Sequence, residues 1–129
     1  VDGLSLKHDS TTNSGGFIRY GYEKPTDLAT SPGTVHPLVI THPESGDRAL
    51  YLGRRLNAFV VGLPIGEGEA LLDELWSHVA KPEFTWAHSW RKGDLVMWDN
   101  RVTMHRRDSF DNRYRRLMHR TQIRARHKA

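Results

Sequence analysis

The 129-residue chain contains no cysteine, which excludes disulfide bonds and thiolate metal sites. It also contains no apolar run near the roughly 18 residues that a membrane-spanning helix needs. No basic stretch followed by an apolar stretch, as in a signal peptide, stands at its start. These absences predict a globular cytoplasmic protein without a membrane partner. Eight histidines leave metal binding through nitrogen and oxygen ligands open.

Acidic residues are scarce in the last quarter of the chain. Residues 101–129 carry a net charge of +8, whereas residues 1–100 carry −4. A basic segment of this kind can bind nucleic acid, face water or line a pocket for small anions, because arginine pairs with carboxylates through a planar fork of donors. The charge pattern alone leaves these three alternatives open.

The first 34 residues show little regular pattern. Apolar positions in residues 1–8 predict the end of a helix, and residues 9–34 are rich in serine, threonine, glycine and proline. Such a composition predicts a flexible loop. A long irregular segment inside a compact domain is usually functional or disordered.

Short strands dominate the pattern from residue 35 onward. They are predicted at residues 37–42, 49–52, 58–62, 84–90, 95–98 and 115–124. One helix is predicted at residues 66–80, where leucines and Trp76 recur at three- and four-residue spacing. Many short strands and one helix favour an antiparallel sandwich or jelly roll.

The last predicted strand places two arginines on one face. Arg116 and Arg120 are four residues apart, so in a strand they point the same way, roughly 13 Å apart. If that face is interior, the two charges need counter-ions, either protein carboxylates or bound anions. If the strand lies at a sheet edge, the arginines simply face water.

Three sequence blocks together resemble one known family. The first is W-x-x-GD-x-x-x-WDNR-x-x-x-H, from Trp90 to His105, and the second is R-x-MHRT, from Arg116 to Thr121. The third, HPLVITHPESGDRALYL, is similar to a stretch of the same family, with Ser45 where threonine is usual. The blocks resemble the C-terminal portion of the TauD/TfdA family of Fe(II)/2-oxoglutarate-dependent dioxygenases.

The resemblance implies a mainly β fold, an incomplete double-stranded β-helix (jelly roll, cupin-like) with one or two helices. It implies that His105 is an iron ligand and that Arg116 binds the distal carboxylate of the cosubstrate 2-oxoglutarate. Arg120 would contact an acidic group of the substrate or support the cosubstrate. Asp99 and Asn100 stand immediately before the ligand loop, where they would orient His105 or Arg101, or merely shape the turn.

The family's H-x-D motif, which supplies the other two iron ligands, has no counterpart here. The pair His42 and Glu44 has a similar form, but it belongs to a turn with its own counterpart in the family, so it is rejected as the metal pair. We therefore expect residues 1–129 to be the C-terminal part of one catalytic domain, inactive alone. The complete protein would hydroxylate a small acidic substrate, a sulfonate or carboxylate, with dioxygen, and release succinate and carbon dioxide.

Two other functions compete with this interpretation. A catalytically dead jelly roll could serve as an interaction module, and a small basic domain could bind nucleic acid. Because the basic residues are not interleaved with exposed aromatic residues and no binding motif is present, we expect no nucleic-acid partner. Open sheet edges predict a homo-oligomer.

Overall fold

The computed structural model describes residues 1–13 and 15–123. Their elements, in chain order, are β1 (Ser5–Asp9), β2 (Gly33–Pro37), β3 (Val39–Thr41), β4 (Arg48–Leu50), β5 (Phe59–Val61), the helix α1 (Ile65–Val79) and a 3₁₀ turn (Pro82–Phe84). One antiparallel sheet has the order β2-β1-β5, and β3 pairs with β4 in a second sheet. The prediction of a mainly strand-containing fold with one helix is confirmed, while the jelly roll stays a prediction.

The start of the chain forms a strand, so the helix end predicted for residues 1–8 is wrong. Gly3 has a φ of +79°, which a continuing helix does not permit. After it, side chains alternate between two faces of β1. Leu6 and His8 lie on one face, and Lys7 and Asp9 lie on the other. Because β1 pairs with both β2 and β5, it is the central strand of its sheet.

The strand predicted at residues 37–42 is divided between the two sheets. The break falls at Leu38, whose N–H donates to Leu4 O (2.9 Å) and whose carbonyl accepts the N–H of Tyr51 (2.8 Å). Leu38 therefore connects the β1 side to the β4 side, and its buried side chain lies in the core. Pro37 before it has no N–H to donate to a ladder, which favours the end of β2 there.

The predicted helix and the predicted strand at residues 58–62 are confirmed as α1 and β5. The helix packs on the sheet through Leu72 and through Gly68, where an added Cβ would lie 3.4 Å from Val60 Cβ. The fully buried core consists of Leu6, Leu38, Leu52, Ala58, Val60 and Leu72. No helix in the described residues is long and apolar enough to cross a membrane.

The strands predicted after α1 do not form in the described part of the chain. Residues 85–123 contain no strand, and the segment at 95–98, expected to be buried, leaves Leu95 92 % and Met97 81 % exposed. A strand is stabilised by hydrogen bonds to a neighbour. Among the described residues, no strand lies beside these segments to provide such hydrogen bonds. Arg124, the last residue of the predicted final strand, lies outside the described residues.

The long connection between β1 and β2 is tied back to the sheet. Lys7 Nζ donates to the carbonyls of Leu28 (3.0 Å) and Ala29 (2.7 Å), and an isolated bridge joins Thr12 to Ile18. These contacts give the segment defined anchor points. The flexibility predicted for residues 9–34 stays a prediction.

Candidate functional site

A cavity of about 310 Å³ lies where the end of β4 meets the loop that carries His105. Its walls are residues 50–54 on one side and residues 100–105 on the other. One wall thus belongs to the segment after the THPESG turn, and the other belongs to the WDNR block. Two of the sequence blocks therefore come together around the histidine predicted as a metal ligand.

His105 packs against Trp98 at the edge of this cavity. The two ring centroids are 5.0 Å apart with an interplanar angle of 51°. The indole Nε1–H of Trp98 donates to Asn100 Oδ1 at 2.7 Å. Asn100 thus fixes an indole ring that in turn packs on the imidazole. This contact gives Asn100 a route to orient His105, although its predicted role stays a prediction.

Asp99 joins the His105 loop to the THPESG turn. Its Oδ2 accepts hydrogen bonds from Arg101 Nη2 (2.6 Å) and His42 Nε2 (3.1 Å). Arg101 reaches on to Glu44, with its Nη1 2.8 Å from Glu44 Oε2. Hydrogen bonds from Arg101 and then from His42 hold the pKa of Asp99 well below its usual value. Asp99 therefore contacts Arg101, one of the two partners expected from the sequence.

Both ring nitrogens of His42 are engaged within the protein. Nε2 faces Asp99, and Nδ1 lies 3.1 Å from the backbone nitrogen of Ser45 and 3.2 Å from its hydroxyl. An imidazole must offer a free ring nitrogen to bind a metal. This geometry agrees with rejecting His42 and Glu44 as a metal pair.

Arg116 and Arg120 do not line the cavity beside His105. The guanidinium of Arg116 lies 6.0 Å from the ring centroid of Phe110, and that of Arg107 lies 4.9 Å from the same ring. Both Arg116 and Arg120 are exposed. The interior face considered for these arginines is not formed, because residues 115–123 have no ladder partner in the described chain. Their assigned roles stay predictions.

A cluster of three rings lies next to the cavity and was not predicted. The His8 ring centroid is 5.4 Å from that of His36 and 5.5 Å from that of Tyr51, a cavity residue. Burial, followed by the charges of His36 and Arg54, lowers the pKa of His8. The placement of Leu6 and His8 two residues apart was the available signal that both side chains share one face of a strand. The prediction of a helix end for residues 1–8 concealed this signal.

Arg54, another cavity residue, is anchored by the start of the long loop. Its guanidinium donates to Thr12 O (2.8 Å) and Asp9 O (3.3 Å). The Asp9 carboxylate accepts hydrogen bonds from Thr11 and Asn57. Burial alone would raise the pKa of Asp9, but these hydrogen bonds outweigh it and keep the pKa well below its usual value. Backbone carbonyls therefore hold Arg54 in this wall of the cavity, and they belong to a segment that a buried, ionised carboxylate orders.

The described residues do not provide a complete metal site. They contain no group of three or more histidine, cysteine, aspartate or glutamate side chains that could hold a metal ion. His105 offers one imidazole at the cavity. A non-haem iron site of the two-histidine, one-carboxylate type needs two further ligands.

Comparison with known proteins gives one matching family model and a group of named relatives. The model, described as taurine catabolism dioxygenase TauD, TfdA family, matches residues 2–122. Pentalenolactone F synthase of Streptomyces arenae is 41 % identical over 66 % of this chain and 28 % of its own length. The alpha-ketoglutarate-dependent 2,4-dichlorophenoxyacetate dioxygenase of Burkholderia sp. is 43 % identical over 69 % of this chain and 30 % of its own length.

A solved structure is similar as well. It is a protein of Burkholderia xenovorans assigned provisionally as an alpha-ketoglutarate dependent 2,4-D dioxygenase, with a TM-score of 0.60 and 38 % identity. The match covers 78 % of this chain and 38 % of that one. The chain thus spans less than a third of the length of the first relatives above and under two fifths of the solved structure.

Proposed function

The chain belongs to the TauD/TfdA dioxygenase family, and we propose that the whole protein is an Fe(II)/2-oxoglutarate-dependent dioxygenase. The predicted family is confirmed by the match over residues 2–122 and by relatives named as alpha-ketoglutarate-dependent dioxygenases. The substrate we propose is a small organic acid, a carboxylate or sulfonate, which is hydroxylated while 2-oxoglutarate yields succinate and carbon dioxide. Support for an acid comes from the phenoxyacetate named for one relative.

The observation that carries this proposal is the position of His105 at a cavity between two family blocks. We assign His105 as one iron ligand and propose that residues outside the printed sequence supply the other two. Bound iron and 2-oxoglutarate would supply the activation of dioxygen. The chain's own task is to orient the imidazole: Trp98 packs against it, and Asn100 holds Trp98.

Arg116 and Arg120 are the proposed anion-binding residues. Within the described part of the chain neither guanidinium takes part in an ion pair with a carboxylate. A planar guanidinium without such a partner suits a bidentate carboxylate ligand. We propose that Arg116 binds the distal carboxylate of 2-oxoglutarate and that Arg120 contacts the acidic group of the substrate or supports the cosubstrate.

The fold of the complete domain is proposed to be a double-stranded β-helix. Segments 84–90, 95–98 and 115–123 would become strands when they pair with chain outside the printed sequence. Exposed apolar side chains in this region, such as Trp86 and Leu95, support such pairing. We also propose a homo-oligomer, because sheet edges that stay open favour pairing with a second chain.

The proposal is tested by measuring succinate formation. The full-length protein would be incubated with Fe(II), 2-oxoglutarate, dioxygen and a panel of aryloxy acids and sulfonates. We expect iron-dependent succinate release with at least one acid. His105→Ala should abolish it, and Arg116→Ala should raise the KM for 2-oxoglutarate. His78→Ala, an exposed helix position, is the matched control and should retain activity. Succinate formation that persists in His105→Ala would contradict the proposal.

A further inference from the structure

Four side chains fasten the β3–β4 turn to the loop that leads to His105. We call them the clamp: His42, Glu44, Asp99 and Arg101. Arg101 grips Asp99 with two nitrogens, Nε 2.9 Å from Oδ1 and Nη2 2.6 Å from Oδ2. The two halves of the clamp are 57 residues apart in sequence. The clamp is therefore a tertiary contact that no local turn can replace.

The hydrogen-bond partners of His42 determine where its proton lies. Nδ1 faces the N–H of Ser45 at 3.1 Å, so Nδ1 accepts. In a neutral imidazole the other nitrogen then carries the proton. Nε2–H donates to Asp99 Oδ2 at 3.1 Å. Only 14 % of the His42 side chain is exposed, which makes it the most buried member of the clamp's ion pairs.

Asp99 in turn orders the backbone of the following residues. Its Oδ1 accepts the N–H of Arg101 at 2.8 Å, and its carbonyl accepts both the N–H (3.1 Å) and the hydroxyl (2.5 Å) of Thr103. His105 stands two residues beyond Thr103. Asp99 thus orders the backbone up to two residues before His105.

The charges of the clamp favour this arrangement. Hydrogen bonding from Arg101 lowers the pKa of Glu44, and hydrogen bonding to Asp99 and then Glu44 raises the pKa of Arg101. Isolated surface ion pairs contribute little, but a bidentate arginine shared by two carboxylates has a defined geometry. The donor from His42 anchors this exposed pair to a side chain that is only 14 % exposed.

We propose that His42 is a positioning residue: through Asp99 it orders residues 99–105 and thereby sets the affinity of His105 for iron. The second half of this inference rests on the proposed function. Partners of metal-binding histidines typically change metal affinity by about 10- to 100-fold when they are removed. His42 acts one step further out, through the aspartate that shapes the loop.

Two substitutions of His42 separate this role from a local role in its own turn. His42→Gln can place an amide N–H near the position of Nε2 and so keep the donor to Asp99. His42→Asn can place an amide oxygen near Nδ1, which keeps the Ser45 contact but does not reach Asp99. His88→Asn is the matched control, because His88 also pairs with an aspartate, Asp94, at 3.0 Å.

The experiment uses the full-length protein and two readouts. Hydrogen exchange reports the amides of Arg101, Val102 and Thr103, and calorimetric titration with Fe(II) under anaerobic conditions reports metal affinity. In His42→Asn we expect about tenfold faster exchange of these amides, and an Fe(II) affinity lowered about 10- to 100-fold. His42→Gln should stay within about threefold of wild type in both readouts. Thermal unfolding verifies that each variant is folded.

Unchanged exchange in His42→Asn would overturn the inference, since His42 would then act only through its own turn. Equal damage from both His42 substitutions would overturn it as well, since keeping the donor to Asp99 would then make no difference. The same conclusion would follow if His88→Asn altered the exchange of residues 101–103 as strongly. Failure of the wild-type protein to bind Fe(II) would instead contradict the proposed function. Because hydrogen exchange needs no metal, the two failures are distinguishable.

Discussion

Gly53 lines the same cavity as His105, and the addition of a single methyl group there is predicted to lower the stability of the protein. Its φ is +61°, in the left-handed region, and a Cβ built there would overlap the His8 ring. Gly53→Ala therefore combines two costs. The left-handed conformation costs about 1–2 kcal/mol for a residue with a Cβ. Overpacking against the partly buried His8 ring should cost about 1–3 kcal/mol.

Gly62→Ala separates the two costs. Gly62 also has a positive φ, +87°, but an added Cβ there would meet nothing within 4 Å. Gly62→Ala should therefore lower the free energy of unfolding only by the cost of the left-handed conformation, about 1–2 kcal/mol. His8→Ala removes the ring that the new methyl group would strike, so it should relieve the overpacking part of Gly53→Ala. The double-mutant coupling should be about 1–3 kcal/mol in favour of the double variant.

Urea unfolding of the four proteins in the cycle, with Gly62→Ala beside them, measures these free energies. The reasoning requires Gly53→Ala to be clearly less stable than Gly62→Ala. It also requires His8→Ala to recover part of that loss. Additive effects of His8→Ala and Gly53→Ala, with no coupling outside error, would refute the placement of the His8 ring against Gly53.

Three further predictions follow from the core, the loop and the basic segment. Leu72→Ala, at a fully buried helix position, should lower the free energy of unfolding by about 2–5 kcal/mol in urea titrations. Because the pKa of Asp9 is lowered on folding, the ionised carboxylate stabilises the protein above the unfolded pKa near 3.8, and this stabilisation is lost as the pH falls below that value. The difference in unfolding free energy between wild type and Asp9→Asn should therefore narrow in acid. Arg116→Ala should raise the KM for 2-oxoglutarate more than Arg107→Ala does in steady-state kinetics, because Arg107 has no assigned ligand.

Local patterns predicted the two elements, α1 and β5, whose signals lie within their own residues. The helix α1 has strong periodicity and is confirmed within one residue at each end. The strand β5 is confirmed by its short apolar run before Gly62. In contrast, β1 was mistaken for a helix because its central position depends on β2, 24 residues further on, and on β5, 50 residues further on. Leu4, Leu6 and His8 alternate with polar residues, but the three apolar positions of this segment fit both the helical and the strand period.

Two family blocks flank His105 in the structure, but the sequence did not indicate the contacts that join them. The sequence offered His105 or Arg101 as the partner of Asp99, and it gave no indication that His42 reaches the same carboxylate from 57 residues away. Pairings over such distances depend on how the chain folds between them. For Arg116 and Arg120 the sequence predicted a shared strand face that is absent from the described residues. That face exists only if residues 115–123 pair with another strand.

The central claim, that His105 binds the iron of a 2-oxoglutarate-dependent dioxygenase, is tested most directly by anaerobic Fe(II) titration of the full-length protein and its His105→Ala variant. We predict one Fe(II) bound per wild-type chain and an affinity at least about 100-fold weaker in the variant, which loses a ligand. Equal Fe(II) affinity in the two proteins would contradict the account.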